Sequence, residues 1–291
     1  KALVVRIGVF LFMQKGKNMM KLAFYGKGGI GKTTIACNVS AMLAQKGYKV
    51  LHIGCDPKAD STRLLTEKRI PSVLHQMTHQ NGDINFSDII FEGKVNGLFC
   101  AEAGGPKAGS GCAGAGITAM HELLEELGVF EMDWDVIIYD VLGDVVCGGF
   151  SVPMKKEYID KVYIVTSSEY MSVYAANNIL QAVKGFSDKE RNLLGGLIWN
   201  HCQSEWDKKV GESFADLTKA NILMFLNEWE ELQKNDYAKT LITQKSQNKK
   251  LKEQFEKLVD QILGNEKKIH TFLPCDIEEL ETWRESVVRL L

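Results

Sequence analysis

Nine consecutive residues, Gly26, Lys27, Gly28, Gly29, Ile30, Gly31, Lys32, Thr33 and Thr34, have the make-up of a polyphosphate cradle. They fit G-x-x-x-x-G-K-[ST], in which glycines let successive backbone N–H groups turn inward around phosphate oxygens. In that pattern Lys32 reaches the β/γ-phosphates and the Thr33 hydroxyl binds Mg²⁺. Lys27 adds a second cation to the loop, and a solvated surface lysine is its plain alternative reading. Two further loops supply carboxylates: Asp56 and Asp60 in GCDPKADS, Asp140 and Asp144 in DVLGD. An aspartate ending an apolar strand is placed to hold Mg²⁺ through water, which suits Asp140. Asp56 or Asp60 can orient an attacking water, and Asp144 can sense the γ-phosphate; helix capping is the plainer alternative. Cys112 and Cys147 sit among small residues, in GSGCAGAG and VVCGGF, where backbone amides can surround a sulfur. A cubane iron–sulfur cluster usually takes four thiolates. One chain offers two, and a two-fold axis would make four. On composition alone a buried, small apolar role is the commoner one for such cysteines. Cys37, Cys55, Cys100, Cys202 and Cys275 are read in that bland way.

These residues need strands and helices to aim them. Apolar runs fall at 22–25, 50–53, 98–101, 136–139, 162–166, 196–199 and 222–225, and helical candidates at about 33–46, 116–127, 170–184, 205–219 and 248–263. Short buried strands separated by helices predict a parallel sheet covered on both faces. The glycine loop then follows a strand and opens a helix, whose N-terminus favours bound anions. The expected fold is α/β: a P-loop NTPase with a mostly parallel sheet flanked by helices on both faces. Ligand should lie at the carboxyl ends of the strands. Residues 1–19 read as a non-core extension ahead of a start at Met19 or Met20, and 20–291 as one domain.

Composition narrows the function classes. Across 291 residues, 35 basic side chains against 37 acidic ones remove the global electrostatic reason to expect nucleic-acid binding. Seven cysteines, an odd number without a C-x-x-C pair, argue against a secreted disulfide framework and a zinc ribbon, and a cytoplasmic address is expected. No apolar run reaches the ~20 residues that span a bilayer. The tail 278–291 has Leu280, Trp283, Val287 and Leu290 at helical spacing with mostly acidic flanks, so packing on the body or a second subunit is expected rather than membrane binding. The lysine-rich stretch 245–257 reads as a solvated helix face.

The form K-G-G-x-G-K-T resembles the P-loop of dimeric ATPases that include septum-site and plasmid-partition proteins. In that superfamily the first lysine, here Lys27, reaches across a face-to-face dimer to the partner's nucleotide. Segments 26–33, 54–63 (GCDPKADSTR), 102–114 (EAGGPKAGSGCAG), 139–150 (YDVLGDVVCGGF), 174–179 (YAANNI) and 195–200 (GGLIWN) together resemble the nitrogenase iron protein family, with its protochlorophyllide and chlorophyllide reductase counterparts. The matches run in order over about 21–200. The resemblance implies a homodimer bridged by one [4Fe–4S] cluster on Cys112 and Cys147 of each chain, with MgATP at each P-loop. It further implies a ferredoxin or flavodoxin as electron donor and a larger nitrogenase-like catalytic component as acceptor, with neither nucleic acid nor membrane as partner. By motif position, Lys27 acts in trans, Lys32, Thr33 and Asp140 hold phosphate and Mg²⁺, and Asp56 and Asp60 line a first switch. Asp140 and Asp144 form a second switch leading to Cys147, and Asn200 lies near the adenine. Two departures stand out. The family typically has Arg where this chain has Ala115, and its Pro-Arg-Asp/Glu turn corresponds to Leu226-Asn227-Glu228. Ala115 removes the family's ADP-ribosylation site and raises the standing of a tetrapyrrole-reducing partner. A cluster-free positioning or partition ATPase is the rival class; it has no use for Cys112 or Cys147. A cluster carrier would present close-set C-x-x-C pairs.

Overall fold

The structure, a computed structural model, describes residues 19–79, 83–105, 113–143, 148–155, 158–188, 191–246, 248–265 and 268–290. Cys112, Asp144, Cys147 and the extension 1–18 lie outside the described residues. Eight strands form one sheet: β1 (Met20–Tyr25), β2 (Val50–Cys55), β3 (Phe91–Glu92), β4 (Leu98–Glu102), β5 (Val136–Val141), β6 (Lys161–Thr166), β7 (Leu194–Cys202) and β8 (Ile222–Asn227). Their order is β3-β4-β2-β5-β1-β6-β7-β8. All pairings are parallel except that of the short edge strand β3 with β4.

The helices are α1 (Lys32–Gln45), α2 (Val73–His79), α3 (Phe86–Ile89), α4 (Ala113–Glu126), α5 (Tyr170–Phe186), α6 (Glu205–Thr218), α7 (Glu230–Ala238), α8 (Ile242–Lys245), α9 (Lys249–Leu263) and α10 (Ile277–Val287). Successive strand residues enter opposite cores: Ala23 and Tyr25 of β1 one, Met20, Leu22 and Phe24 the other. Burial on both faces is why the strands read as continuous apolar runs instead of alternating ones. The first core is completed by α4, α5, α6 and α10, the second by α1, α8 and α9.

Helix α1 is buried almost all round, between the sheet and α9, which explains its lack of a polar stripe. Helix α9 supplies the cover. Leu251, Phe255, Leu258, Val259 and Ile262 form its buried stripe. Lys249, Lys250 and Lys257 stay exposed. The lysine-rich stretch is therefore solvated on one face and core on the other. The tail packs on the body, as expected. The Asp276 carboxylate caps α10 by accepting the Glu279 N–H at 2.9 Å. Leu280 and Trp283 are buried, and the Trp283 indole donates to Ser213 Oγ of α6 at 3.0 Å. Among the described residues no helix is long and apolar enough to cross a membrane. Elements β3, α2, α3, α7 and α8 have no counterpart in the sequence reading; most are too short to set up a hydrophobic period.

Candidate functional site

Strand β1 lies at the centre of the sheet, between β5 and β6. The chain leaves it at Gly26 and enters α1 at Lys32, so the glycine loop sits at the carboxyl edge where ligands of such sheets bind. Gly31 caps α1 in the left-handed region at φ 87°, which strains any residue with a Cβ. A Cβ there would also stand 2.6 Å from Asn200 Nδ2. Asn200, on β7, donates that same amide to the Ile30 carbonyl at 2.8 Å. A strand two places along the sheet thus braces the loop.

Lys32, Thr33 and Asp140 come together. The Lys32 ammonium is buried and paired with Asp140 Oδ1. The Thr33 hydroxyl donates to Asp140 Oδ2 at 2.7 Å, and Ser61 Oγ donates to the same oxygen. Burial works to raise the Asp140 carboxyl, but the Lys32 charge and the hydrogen bonds from Lys32 and Ser61 outweigh it and hold the group below the usual carboxylate value. Behind Ser61 stands His52 of β2, fully buried, with Nδ1 2.8 Å from Ser40 Oγ and Nε2 3.4 Å from Ser61 Oγ. Burial pushes this imidazole down to about 4, so it is neutral near pH 7. A cation, a carboxylate and two hydroxyls around a buried point form a set that can exchange its internal ion pair for a phosphate and a divalent metal. Among the described residues no group of three or more His, Cys, Asp or Glu could hold a metal unaided. Mg²⁺ takes one or two protein oxygens and completes its shell with phosphate and water, and the Asp140 carboxylate and Thr33 hydroxyl are oxygens of that kind.

The remaining carboxylates are less gathered. Asp56 is half-buried, and its Oδ1 accepts the Lys58 N–H at 2.8 Å; burial raises its carboxyl. Asp60 is exposed and makes no side-chain cap to the 3₁₀ turn Ser61–Leu64 that it precedes. Lys27 Nζ lies 3.6 Å from Glu169, in front of α5. Asp144 is outside the described residues, but Gly143 beside it is pressed on the glycine loop. A Cβ on Gly143 would overlap the Gly26 carbonyl oxygen.

Sequence reasoning missed Ser61, although it lies inside the quoted 54–63 segment, and it missed Glu102. Glu102 ends β4 with no exposed surface, and its Oε1 accepts the Thr62 N–H at 2.6 Å and the Thr62 hydroxyl at 2.7 Å. Its Oε2 has no partner among the described residues. Burial, reinforced by Asp140 and Asp60, outweighs the Thr62 hydrogen bonds and raises the carboxyl to about 8. A carboxyl with a raised folded-state pKa contributes stability that is fully present below its unfolded value and lost as pH rises through the folded value. Glu102→Gln removes that dependence. From pH 5 to about pH 8 the thermal midpoint of the native protein should fall relative to that of E102Q, then run parallel to it. A difference between the two that stays constant over this window would contradict the assignment.

A cleft of about 340 Å³ opens beside the loop, lined by Gly29, Gly31, Asn200, His201 and Trp229 and by the inner side of α7. Asn200, which the resemblance implies lies near the adenine, lines this cleft beside Gly31. The Asn227-Glu228 turn lines the same cleft, followed on α7 by Leu232, Asp236 and Tyr237. Nothing in the sequence period marked α7 as a wall, because it buries no side chain. Helix α7 is tied to the first acidic loop by Arg63 Nη2, which donates to both Asp236 oxygens at 2.8 and 2.9 Å.

The fit of an iron–sulfur cluster rests on the thiols and on what flanks Cys112 and Cys147. Cys37, Cys55, Cys100, Cys202 and Cys275 are all buried, and burial raises every one of these thiols, Cys202 to about 12. None is poised as a thiolate. Helix α4 begins one residue after Cys112, and the 3₁₀ helix Gly148–Met154 begins one residue after Cys147; these two elements pack on each other. Both cysteines thus precede elements that lie against each other.

The architecture is that of the P-loop NTPases. The MinD cell division protein of Aquifex aeolicus superposes with a TM-score of 0.65 over 87% of this chain and 100% of its own, at 21% identity, a likeness that shows the fold alone. Sequence goes further. The family model described as "4Fe-4S iron sulfur cluster binding proteins, NifH/frxC family" matches residues 20–287. The nitrogenase iron protein of Methanospirillum hungatei is 42% identical over 273 residues, covering 92% of this chain and 96% of that protein. Nitrogenase iron protein 2 of Methanobacterium ivanovii is 42% identical over 246 residues, 84% of this chain and 91% of that protein. The chain belongs to the NifH/frxC iron protein family.

Proposed function

We propose that this chain is the ATP-dependent reductase component of a nitrogenase or nitrogenase-like system. It works as a cytoplasmic homodimer with one [4Fe–4S] cluster held by Cys112 and Cys147 of each copy. The observation that carries the reading is the packing of α4 on the 3₁₀ helix Gly148–Met154, which brings together the two elements that the cysteines precede. A ferredoxin or flavodoxin reduces the dimer, and a larger catalytic component takes the electron. The unit spans residues 20–291 as a single domain.

ATP enters the cleft along Asn200 and α7, with its phosphates against Gly26, Gly28, Gly29, Gly31 and Thr34 and the backbone of Ile30. Lys32 exchanges Asp140 for the β/γ-phosphates, which frees the Asp140 carboxylate to join Thr33 in holding Mg²⁺. Ser61 follows Asp140, so the loop bearing Asp56 and Asp60 responds to the phosphate. One of those two carboxylates orients the attacking water, and Asp144 senses the γ-phosphate. Lys27 leaves Glu169 for the nucleotide of the other copy. The cluster, when bound, supplies a one-electron carrier whose potential depends on nearby charge and hydrogen bonds.

Anaerobic purification with iron counted per dimer tests this reading, together with low-temperature EPR after dithionite. About four irons and a reduced-cluster signal are expected. Both should disappear in Cys112→Ser and in Cys147→Ser. A colourless, iron-free wild-type protein that still hydrolyses ATP would identify a cluster-free ATPase instead.

A further inference from the structure

We propose that Glu102 is a positioning residue that couples the 56–64 loop to the segment leading into Cys112, giving nucleotide state a second route to the cluster besides Asp140–Asp144. The inference rests on the proposed function and extends it.

The route is a chain of contacts. Asp140 accepts Ser61, and the next residue, Thr62, gives both its N–H and its hydroxyl to Glu102. Glu102 is wedged in place: a Cβ on Gly54 would overlap its Oε2, and the next residue, Ala103, donates its N–H to the Gly54 carbonyl at 2.8 Å. Gly105 lies against Pro57 of the loop, where a Cβ would stand 2.5 Å from the Pro57 Cβ. Gly116, in the first turn of α4, is pressed on the Gly104 carbonyl. The strand end 102–105 is therefore clamped between the loop on one side and the start of α4 on the other. Cys112 lies between those two anchored pieces in the sequence. Gly116 meets the 104–105 backbone and Gly105 meets the Pro57 ring and its Cα, contacts with little flexible side chain to yield, so displacement at one end is passed on instead of damped. Titratable groups around Glu102 are Asp140 of β5, Asp60 at the head of the loop, and the buried thiols of Cys37, Cys55 and Cys100.

Spatial continuity alone does not prove coupling, so the test must measure it. Hydrogen exchange is followed in peptides covering 56–64 and 98–105 of the anaerobic dimer, with and without MgATP, alongside the rate of iron removal by a chelator. In wild type both peptides should respond to MgATP. In Glu102→Ala the 56–64 response should persist while the 98–105 response is lost, and MgATP stimulation of chelation should fall about tenfold. Glu102→Gln, which keeps an oxygen acceptor for Thr62, should restore both. Thr62→Val cuts the hydroxyl link from the other side and should weaken the 98–105 response, even if the alanine variant fails to fold. Normal transmission in E102A and T62V overturns this inference alone. A wild-type protein in which MgATP changes neither peptide overturns the proposed function along with it.

Discussion

Lys32→Ala is expected to abolish ATP hydrolysis and to destabilise the protein in the same stroke. On the proposed function the catalytic loss follows from removing the buried Lys32 ammonium that would meet the β/γ-phosphates; deleting a single preorganised electrostatic contact typically costs about 10²–10³ in turnover. The stability loss follows from the ion pair. Asp140 is 2% exposed and pairs with the Lys32 ammonium. Removing one partner of such a pair strands a buried charge at a cost of about 3–5 kcal/mol. The Thr33 and Ser61 hydroxyls still donate to Asp140, so the lower end is expected. Two controls separate the effects. The deficit should shrink as pH falls, because the uncompensated carboxylate can then take up a proton. Lys32→Ala combined with Asp140→Asn should recover most of the stability and none of the hydrolysis. Denaturant unfolding and ATPase turnover at saturating MgATP check both. A stable, inactive single mutant would mean that the pair is not buried as described.

Gly143→Ala should be the most damaging small substitution in the site, and Gly28→Ala one of the mildest. A Cβ on Gly143 would overlap the Gly26 carbonyl oxygen and stand 2.8 Å from Lys27 Cα, and both are backbone. Nothing flexible is there to yield, so the glycine loop or the segment running to Asp144 must move. The expected cost is about 1–3 kcal/mol, as for overpacking a filled interior. Nucleotide affinity should drop by about tenfold or more, which is ~1.4 kcal/mol. Gly28 has nothing within 4 Å of its Cβ position. Its alanine variant should stay within about 0.5 kcal/mol of wild type in stability. Thermal unfolding and calorimetric titration with MgATP compare the two. Equal losses in both would show that the loop tolerates neither, and that the contact with Gly143 is not what distinguishes them.

Much of this site was legible before any fold was in view, since the chemistry there is carried by short local patterns. A glycine loop with Lys32 and Thr33 needs only a strand before it and a helix after it, and both were signalled by neighbouring apolar residues. Asp140 was legible for the same reason, at the end of a buried run. Partners drawn from distant strands were not. Ser61 and Glu102 both fall inside the quoted segments, but nothing local marks which distant residues they meet. Each matters because β2, β4 and β5 lie side by side in the sheet, so residues 61, 102 and 140 meet although up to 79 positions separate them. The lysine-rich helix shows the same division. Its charges are visible in the chain, but its buried stripe has a meaning only once α1 is there to receive it.

The amino-acid order alone thus determined the class of sheet and the P-loop at its centre, because each depends on neighbours within a few residues. Tertiary structure alone decided which glycines are irreplaceable, which carboxylate is held ionised by a cation and which is driven toward its acid form, and that α7 walls the cleft. These depend on close packing and burial, and packing brings together parts of the chain that carry no local trace of one another.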